Sequence, residues 1–263
     1  MKKTYVYFIL YLLSFFNSVY SLPKRQEPIG AIGGSVTLSI EGRFTCTSGF
    51  PVKGGDLGDT DTGLLLAGHC TANNAVGDQV FVENNDGSLG SLIGRIFKVS
   101  YGNGNDFALI KLDQGWFGYP TLIGPGKDGQ PAILPIITAT SPEEGSQVCL
   151  TGATSSSVCG VLIEADGEGS MYVLNKWNNS EFILLEGLNV IDTGKSRTTF
   201  GDSGAGVFVT KRAPVGSAIL ASPVGIYVGF VNDVVEHKES YYYPISTVLE
   251  AFGGLELITQ KIL

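Results

Sequence analysis

The 263-residue chain has few charged side chains and no run of lysine or arginine. Charged residues make up 16% of it, and the formal net charge is −8. Nucleic-acid binding requires a basic surface that neutralises phosphates, so we exclude nucleic acid as a partner. Hydrophobic residues reach 43% and glycines number 36. This composition favours a turn-rich β protein over a helical bundle or a disordered chain.

Long apolar stretches are absent beyond the N-terminus, so no later segment is predicted to cross a bilayer. The start itself has a basic pair, Lys2-Lys3, an apolar run from Tyr5 to Phe16 and a small residue at Ser21. This pattern predicts a signal peptide over residues 1–21. A signal anchor is the alternative, but the run is short for a span of ~20 residues and is followed by Lys24-Arg25. We expect a secreted, extracellular protein that is trimmed after this pair and has no membrane contact once the signal is removed.

Cysteine is also scarce, with Cys46, Cys70, Cys149 and Cys159 as the four. An even number in an exported chain favours disulfides over zinc ligation, and three pairings are open. Nearest-neighbour pairing would close loops of about two dozen and about ten residues, worth roughly 2 to 4 kcal/mol each. Export would also make Asn178-Asn179-Ser180 a candidate glycosylation site at Asn178.

Helical periodicity is missing from most of the chain. Short apolar or alternating runs lie between clusters of glycine, asparagine and aspartate, which is typical of antiparallel strands joined by turns. The predicted strands are Ser35–Ile40, Leu64–Ala67, Gln79–Val82, Leu92–Val99 and Phe107–Leu112 in the first half, and Ser146–Leu150, Val158–Glu164, Phe182–Leu185, Gly206–Thr210 and Val224–Phe230 in the second.

A segment rich in proline and glycine, Pro120–Pro135, is interpreted as a connector between two halves. Near the end, Pro244 can open a helix because its missing N–H is an orphan position, and Gly253 is placed to end it. The apolar residues between them fall on one helical face: Ile245, Val248, Leu249 and Phe252. We therefore predict two antiparallel β barrels in tandem and a C-terminal helix. The predicted segments are a signal peptide (1–21), a short propeptide (22–31), an N-terminal barrel (32–120) and a C-terminal barrel with the terminal helix (121–263).

The strongest chemical pattern is the hexapeptide Gly201-Asp202-Ser203-Gly204-Ala205-Gly206. A serine nucleophile must be held on a tight loop that exposes its Oγ and lets backbone N–H groups converge on a developing oxyanion. The flanking glycines permit such a backbone. An ordinary Asp-Ser-Gly turn is the alternative, so the interpretation of Ser203 depends on the patterns that accompany it.

Only two histidines are present. His69 follows the apolar run Leu64–Ala67 and directly precedes Cys70, whose disulfide to Cys46 could hold the loop still. A general base needs such fixed geometry, although a lone histidine beside a strand is more often structural. The serine pattern downstream favours His69 as the base, whereas His237 lies in a charged segment and is interpreted as part of a solvated loop.

Asp106 stands at the mouth of the apolar run Phe107–Leu112. An aspartate in such a place can be desolvated and used to orient an imidazole and stabilise its cation. A turn-forming role is the ordinary alternative. Asp113 is a second candidate, but only Asp106 has the apolar run behind it that would bury it.

With these residues in the order His, Asp, Ser, the chain resembles a chymotrypsin-fold (trypsin-like) serine protease, nearest the streptogrisin and α-lytic type. The resemblance extends from about Ile32 to Gly253. Its motifs are Ile32-Gly33-Gly34 as the mature start, Leu66–Cys70 around the histidine, Asn105–Leu109 around the aspartate, Gly201–Gly204 around the serine, Val148–Gly152 with Val158–Gly160 as a short second disulfide loop, and Tyr242-Tyr243-Pro244 to Phe252-Gly253 as the closing strand and helix.

The resemblance implies an all-β fold of two tandem six-stranded barrels and assigns roles to individual residues. Ser203 would attack the scissile carbonyl, His69 would take its proton and later donate it to the leaving amine, and Asp106 would hold the imidazole tautomer. The N–H groups of Gly201 and Ser203 would form an oxyanion hole worth about 3 to 4 kcal/mol per donor. The expected protein is a monomeric endopeptidase that hydrolyses proteins or peptides through an acyl-enzyme, without metal or cofactor.

Several positions depart from the family pattern. Ala205 stands where a glycine is usual. Val228 replaces a serine beside the aspartate, which removes one hydrogen bond to Asp106. Phe230 replaces a glycine in the strand that lines the specificity pocket with Tyr227, so its ring could narrow or cap that pocket.

Arg197, six residues before Ser203, lies near where trypsin-like enzymes place an acid at the pocket floor. A preference for acidic substrate side chains is therefore one hypothesis. Alternatively, Arg197 is a surface residue or neutralises Asp202, because the arginine that does so in the streptogrisin group appears here as Leu150. A new N-terminal amine is another candidate partner for Asp202.

Two other classes of protein fit part of the pattern. A catalytically silent relative that binds proteins on the same scaffold would explain Val228 and Phe230. A secreted β-sandwich adhesin or lectin would share the composition, but would have no reason to carry the three motifs in order.

Overall fold

The computed structural model describes residues 30–71, 75–126, 130–174, 181–194, 196, 198–232 and 238–261. The predicted signal peptide, most of the predicted propeptide, Asn178, Arg197 and His237 lie outside this range. None of the described residues belongs to a helix that is long and apolar enough to cross a membrane. The elements are β1 (Gly30–Gly34), β2 (Thr37–Ile40), β3 (Phe44–Thr47), β4 (Pro51–Gly54), β5 (Thr62–Leu66), β6 (Gln79–Glu83), β7 (Leu89–Gly102), β8 (Asn105–Leu112), β9 (Trp116–Pro125), β10 (Pro131–Pro135), β11 (Gln147–Gly152), β12 (Ser156–Leu174), β13 (Phe182–Asp192), β14 (Gly206–Arg212), β15 (Ile219–Asn232), β16 (Lys238–Pro244), α1 (Ile245–Ala251) and β17 (Leu255–Leu257).

The C-terminal half is a closed barrel of six strands in the order β11-β12-β13-β16-β15-β14. Each of the ten strands predicted from the sequence corresponds to an observed strand, with shifted ends. Alternate residues of each strand point into the barrel. Those that are buried there form an apolar core. Its buried members include Val148, Leu162, Ile191, Val207 and Val224.

The N-terminal half is a curled sheet of eight strands in the order β17-β4-β5-β8-β7-β6-β2-β3. The predicted arrangement of two β units with a C-terminal helix is confirmed, but this unit has more than the predicted six strands. One reason is that the chain returns after α1, and Leu255 pairs with Gly54 to add β17 to the edge of β4.

The segment Pro120–Pro135, interpreted as a connector between the two halves, contains regular structure. Its described residues form the β9–β10 hairpin, in which Leu122 pairs with Leu134 and both side chains are buried. The parallel strand β1 adds to the other side of β9, with Gly30 opposite Trp116. Prolines and glycines suggested a connector, and the strands within it could not be predicted because the pairing of its apolar residues depends on a sheet that propensity alone does not reveal.

The strands β5 and β8 are buried on both faces, which explains their continuous apolar runs. In β8, Ala108 and Ile110 face the interior of the N-terminal sheet, whereas Phe107 and Leu109 face a second core shared with the C-terminal barrel. The alternating side chains of β8 therefore pack into two different cores. Asp106 is the second residue of this strand and lies on the same face as Ala108.

The terminal helix is confirmed. It begins after Pro244, buries Ile245 and Val248, and is followed by Gly253, whose φ of 77° is in the left-handed region that glycine accepts most readily. Phe252 at its end packs edge-to-face on Phe107, with ring centroids 5.5 Å apart. The helix thus closes the core next to the start of β8.

Candidate active site

His69 lies on a short 3₁₀ turn, Gly68–Cys70, directly after the buried strand β5. The Cys46–Cys70 disulfide ties this turn to β3, which confirms nearest-neighbour pairing, as does the Cys149–Cys159 disulfide. A Cβ on Gly68 would lie 3.0 Å from the Phe107 nitrogen. The turn is therefore packed tightly against the start of β8.

Asp106 is fully buried and binds His69 twice. Its Oδ1 accepts a hydrogen bond from the His69 backbone N–H at 2.7 Å, and its Oδ2 lies 2.6 Å from His69 Nδ1. An ionised carboxylate only accepts, so His69 carries its proton on Nδ1 and leaves Nε2 as a proton acceptor. Among the described residues no other hydrogen bond reaches this carboxylate.

The structure distinguishes between the two aspartates that the sequence offered as partners of His69, Asp106 and Asp113. Asp113 follows the far end of β8, and its backbone N–H donates to Ile93. Seven residues of extended chain place it about 23 Å from Asp106. It therefore has no part in the contact with His69.

The side chains of Phe107 and Tyr243 pack next to Asp106 and help to bury it. Tyr243 packs edge-to-face on Phe107 with ring centroids 5.2 Å apart, and its hydroxyl donates to the Gly104 carbonyl at 2.5 Å. Burial raises the pKa of Tyr243, and the negative charge of Asp106 raises it further. Tyr243 thus remains a neutral hydrogen-bond donor at any ordinary pH.

The Ser203 loop is held by Thr47 from the other half of the molecule. The Thr47 backbone N–H donates to the Ser203 carbonyl at 2.9 Å, and its hydroxyl donates to the Gly201 carbonyl at 2.8 Å. Gly204 has a φ of 91°, and a Cβ there would lie 2.5 Å from the Thr47 carbonyl oxygen. Ala205 is fully buried in the C-terminal barrel, so its extra methyl group is accommodated.

Ser203 is brought beside the His69 turn, although its hydroxyl is not bonded to the imidazole. The Ser203 carbonyl oxygen lies 3.8 Å from Cys70 Sγ. Its Oγ instead donates to the Val228 carbonyl at 3.4 Å, a long hydrogen bond. No hydrogen bond between Ser203 Oγ and His69 occurs in the part of the chain that the structure describes.

The Ser203 loop contains two backbone N–H groups without an acceptor among the described residues. Neither the N–H of Gly201 nor that of Ser203 donates a hydrogen bond to another described residue. Gly201 has a φ of 100°, which glycine adopts without strain. Both groups are thus free to bind an external oxygen.

Backbone N–H groups of three described residues bind the Asp202 carboxylate. This fully buried carboxylate accepts from the N–H groups of Thr154 at 3.0 Å, Ser155 at 3.1 Å and Thr199 at 2.8 Å. Such hydrogen bonds stabilise a buried carboxylate, and the proposed partner Arg197 lies outside the described residues. Gly152 is needed for the approach, since a Cβ there would lie 2.0 Å from Asp202 Oδ1.

The predicted pocket residues on β15 have different environments. Tyr227 and Val228 are buried in the cores, and Phe230 is half-buried. Burial raises the pKa of Tyr227, outweighing the opposite effect of the nearby hydroxyls of Thr198 and Ser240. The fourth predicted residue, Arg197, lies outside the described residues.

Sequence reasoning missed Phe200. Its ring is 82% exposed and contacts Phe230, with centroids 6.0 Å apart and planes at 59°. The signal available in the sequence is its place directly before Gly201 of the serine motif.

No protein-family model and no curated protein sequence matches the chain. Among solved structures it is similar to Thermobifida fusca Protease A, with 22% identity over 88% of this chain and 100% of that chain and a TM-score of 0.60. The same coverage is found for the Nocardiopsis protease NAPase, at 20% identity and a TM-score of 0.62, and for Cellulomonas bogoriensis chymotrypsin, at 21% and 0.59. The chain therefore has the chymotrypsin-like serine protease fold.

Proposed function

We propose that this chain is a secreted serine endopeptidase that cleaves proteins or peptides through an acyl-enzyme. Ser203 attacks the scissile carbonyl, His69 Nε2 takes the Oγ proton and returns it to the leaving amine, and Asp106 holds the imidazole and stabilises its cation. The N–H groups of Gly201 and Ser203 bind the developing oxyanion. Water then repeats the sequence on the ester, with His69 again as the base.

The observation that carries the proposal is the pair of hydrogen bonds from His69 to Asp106. A surface histidine has no need of a fully buried carboxylate, and burying that charge is costly unless it is compensated. The pair leaves Nε2 as an acceptor on a turn that contacts the serine loop through Cys70, and two N–H groups of that loop have no described acceptor. Catalytic hydrogen bonds are often long or misaligned before substrate binds, so the Oγ position at Val228 is compatible with this role.

A catalytically silent binding protein on the same scaffold is the second candidate. It is favoured by the hydrogen bond from Ser203 Oγ to the Val228 carbonyl. It is also favoured by the valine side chain, because among the described residues only His69 binds Asp106. Both features would weaken a nucleophile if they persisted with substrate bound. Neither removes a reacting group.

Reaction with a fluorophosphonate probe separates the two candidates. We expect the wild-type protein to be labelled on the peptide that contains Ser203, because the probe reacts only with a serine activated by a base. Ser203→Ala and His69→Ala should both abolish labelling, and mass spectrometry of the digest locates the adduct. A well-folded wild-type protein that stays unlabelled would favour the silent scaffold.

Secretion is part of the proposal and is supported by the two disulfides, which form and persist in oxidising compartments. The predicted signal sequence agrees with export. The segment boundaries and the glycosylation site at Asn178 remain predictions.

Removing either disulfide should destabilise the fold by a similar amount but affect activity differently. The double variants Cys46→Ala/Cys70→Ala and Cys149→Ala/Cys159→Ala should each lose about 3 kcal/mol of unfolding free energy, from the loops they close. Only the Cys46–Cys70 disulfide is adjacent to His69, so only its removal should lower kcat in the folded protein. Denaturant titration and kcat measured well below each midpoint provide the test, with the second variant as the matched control. Equal losses of kcat would show that the first disulfide does not position the histidine.

A further inference from the structure

The Gly201 N–H, one of the two proposed oxyanion donors, belongs to the peptide group that joins Phe200 to Gly201. A trans peptide directs its N–H and its carbonyl oxygen to opposite sides. The direction of the Phe200 carbonyl therefore decides where the Gly201 N–H points. Because glycine accepts many backbone conformations, this peptide can rotate unless other groups hold it.

The other proposed donor is held from within the serine loop. The Ser203 N–H shares its peptide group with the Asp202 carbonyl, which accepts a hydrogen bond from the Ala205 N–H at 3.0 Å. This short-range contact fixes the direction of the Ser203 N–H. The Phe200 carbonyl is instead held from outside the loop.

A threonine in the turn between β11 and β12 holds the Phe200 carbonyl. The Thr154 hydroxyl donates to this oxygen at 3.0 Å. Thr154 is itself fixed by its backbone N–H, which donates to the buried Asp202 carboxylate at 3.0 Å. Its Oγ1 also approaches Gly201 closely, since a Cβ on that glycine would lie 2.5 Å away. Thr154 therefore fixes the peptide that carries the donor, and it does so in space that only a glycine leaves open.

Thr47 holds the next peptide group, on the other side of Gly201. Its hydroxyl donates to the Gly201 carbonyl at 2.8 Å and accepts from the Ala153 N–H at 2.9 Å. Thr47 has no exposed surface, so water does not replace these hydrogen bonds. With one peptide fixed by Thr154 and the next by Thr47, the φ of 100° at Gly201 is held from both sides.

We propose that Thr47 and Thr154 are positioning residues that preorganise the Gly201 N–H for the oxyanion. This inference rests on the proposed endopeptidase function. A donor that is already oriented stabilises the transition state without rotating as the charge develops. Each threonine acts through a backbone carbonyl rather than on the substrate.

Valine in place of either threonine removes the hydroxyl and preserves the shape of the side chain. Thr47→Val should lower kcat about tenfold, and Thr154→Val about fivefold because Thr154 is exposed and water can replace its hydroxyl. KM should change by less than about twofold, since the oxyanion forms only in the transition state. The double variant should approach the loss of about 100-fold that follows removal of a whole oxyanion donor. A casein peptide that the wild-type protein cleaves serves as the substrate.

Rescue by serine separates positioning from packing. Thr47→Ser and Thr154→Ser keep the hydroxyl and should retain most of the wild-type kcat. Thr62→Val is the matched control, because the Thr62 hydroxyl also binds backbone, accepting from the Gly118 N–H at 3.1 Å. Thr62 begins β5, at the opposite end of that strand from His69, so its loss should lower stability without lowering kcat.

The rate of fluorophosphonate labelling is a second readout and should fall by the same factors as kcat, since the phosphonyl oxygen occupies the oxyanion site. If the wild-type protein cleaves the peptide and both valine variants keep kcat within about twofold, the inference is overturned while the proposed function stands. Serine variants as slow as the valine variants would also overturn it. Because Thr154 is exposed, its variants decide the matter if Thr47→Val does not fold. A folded wild-type protein that neither cleaves casein nor reacts with the fluorophosphonate would overturn both proposals.

Discussion

Replacing Ser203 by alanine is expected to lower kcat for peptide hydrolysis by about 10⁶-fold, and replacing His69 by alanine should cost a similar factor. The two groups act as a unit, since the Oγ nucleophile needs the imidazole to take its proton. The double variant should therefore be no slower than either single variant. Steady-state kcat at high enzyme concentration measures all three.

Ser91→Ala is the control for this series, because Ser91 is an exposed serine on β7 and its loss should change kcat by less than about twofold. The two free N–H groups at Gly201 and Ser203 remain in every variant, so a residual rate of about 10³ to 10⁴ over water should persist. If Ser203→Ala kept its rate within about tenfold of wild type, Ser203 would not be the nucleophile.

The candidate site was predictable where the chemistry is encoded locally. Gly204 shows why: its φ of 91° and its contact with Thr47 admit only glycine, so the sequence must display one next to Ser203. His69 and Asp106 likewise stand at the ends of apolar runs, because each must be held at the end of a buried strand.

Long-range partners could not be predicted in the same way. Asp202 is bound by amides of Thr154, Ser155 and Thr199, and backbone N–H groups leave no trace in the sequence. The sequence could suggest only charged groups such as Arg197, which lies outside the described residues. The contact of the Thr47 hydroxyl with the Gly201 carbonyl spans 154 residues and depends on how the two halves meet.

The number of strands in the N-terminal unit differs from the predicted six for a related reason. Local periodicity identifies which segments are extended, but pairing is decided by register and burial against distant strands. The β9–β10 hairpin exists because Leu122 and Leu134 find a common core, and β17 exists because β4 offers a free edge.

Asp106→Asn is expected to lower kcat by about 10⁴-fold while leaving the fold intact. The reason follows from the two contacts of the carboxylate. Oδ1 accepts the His69 backbone N–H, which is always a donor, so the introduced amide must place its oxygen there. Its NH₂ group then faces Nδ1 at the 2.6 Å contact and donates to it. The imidazole proton moves to Nε2, which can no longer accept the proton of Ser203.

The tautomer can be observed directly, because the chain contains only two histidines. In ¹⁵N-labelled protein, the ring signals assigned to His69 should show the proton on Nδ1 in the wild type and on Nε2 in Asp106→Asn. Asp113→Asn is the matched control, as Asp113 lies at the far end of β8 and should alter neither the spectrum nor kcat. The opposite amide orientation would set two donors against each other at His69 N and cost about 1 to 3 kcal/mol, which is why the structure selects a single outcome. An unchanged tautomer with full activity would mean that Asp106 anchors the turn but does not orient the base.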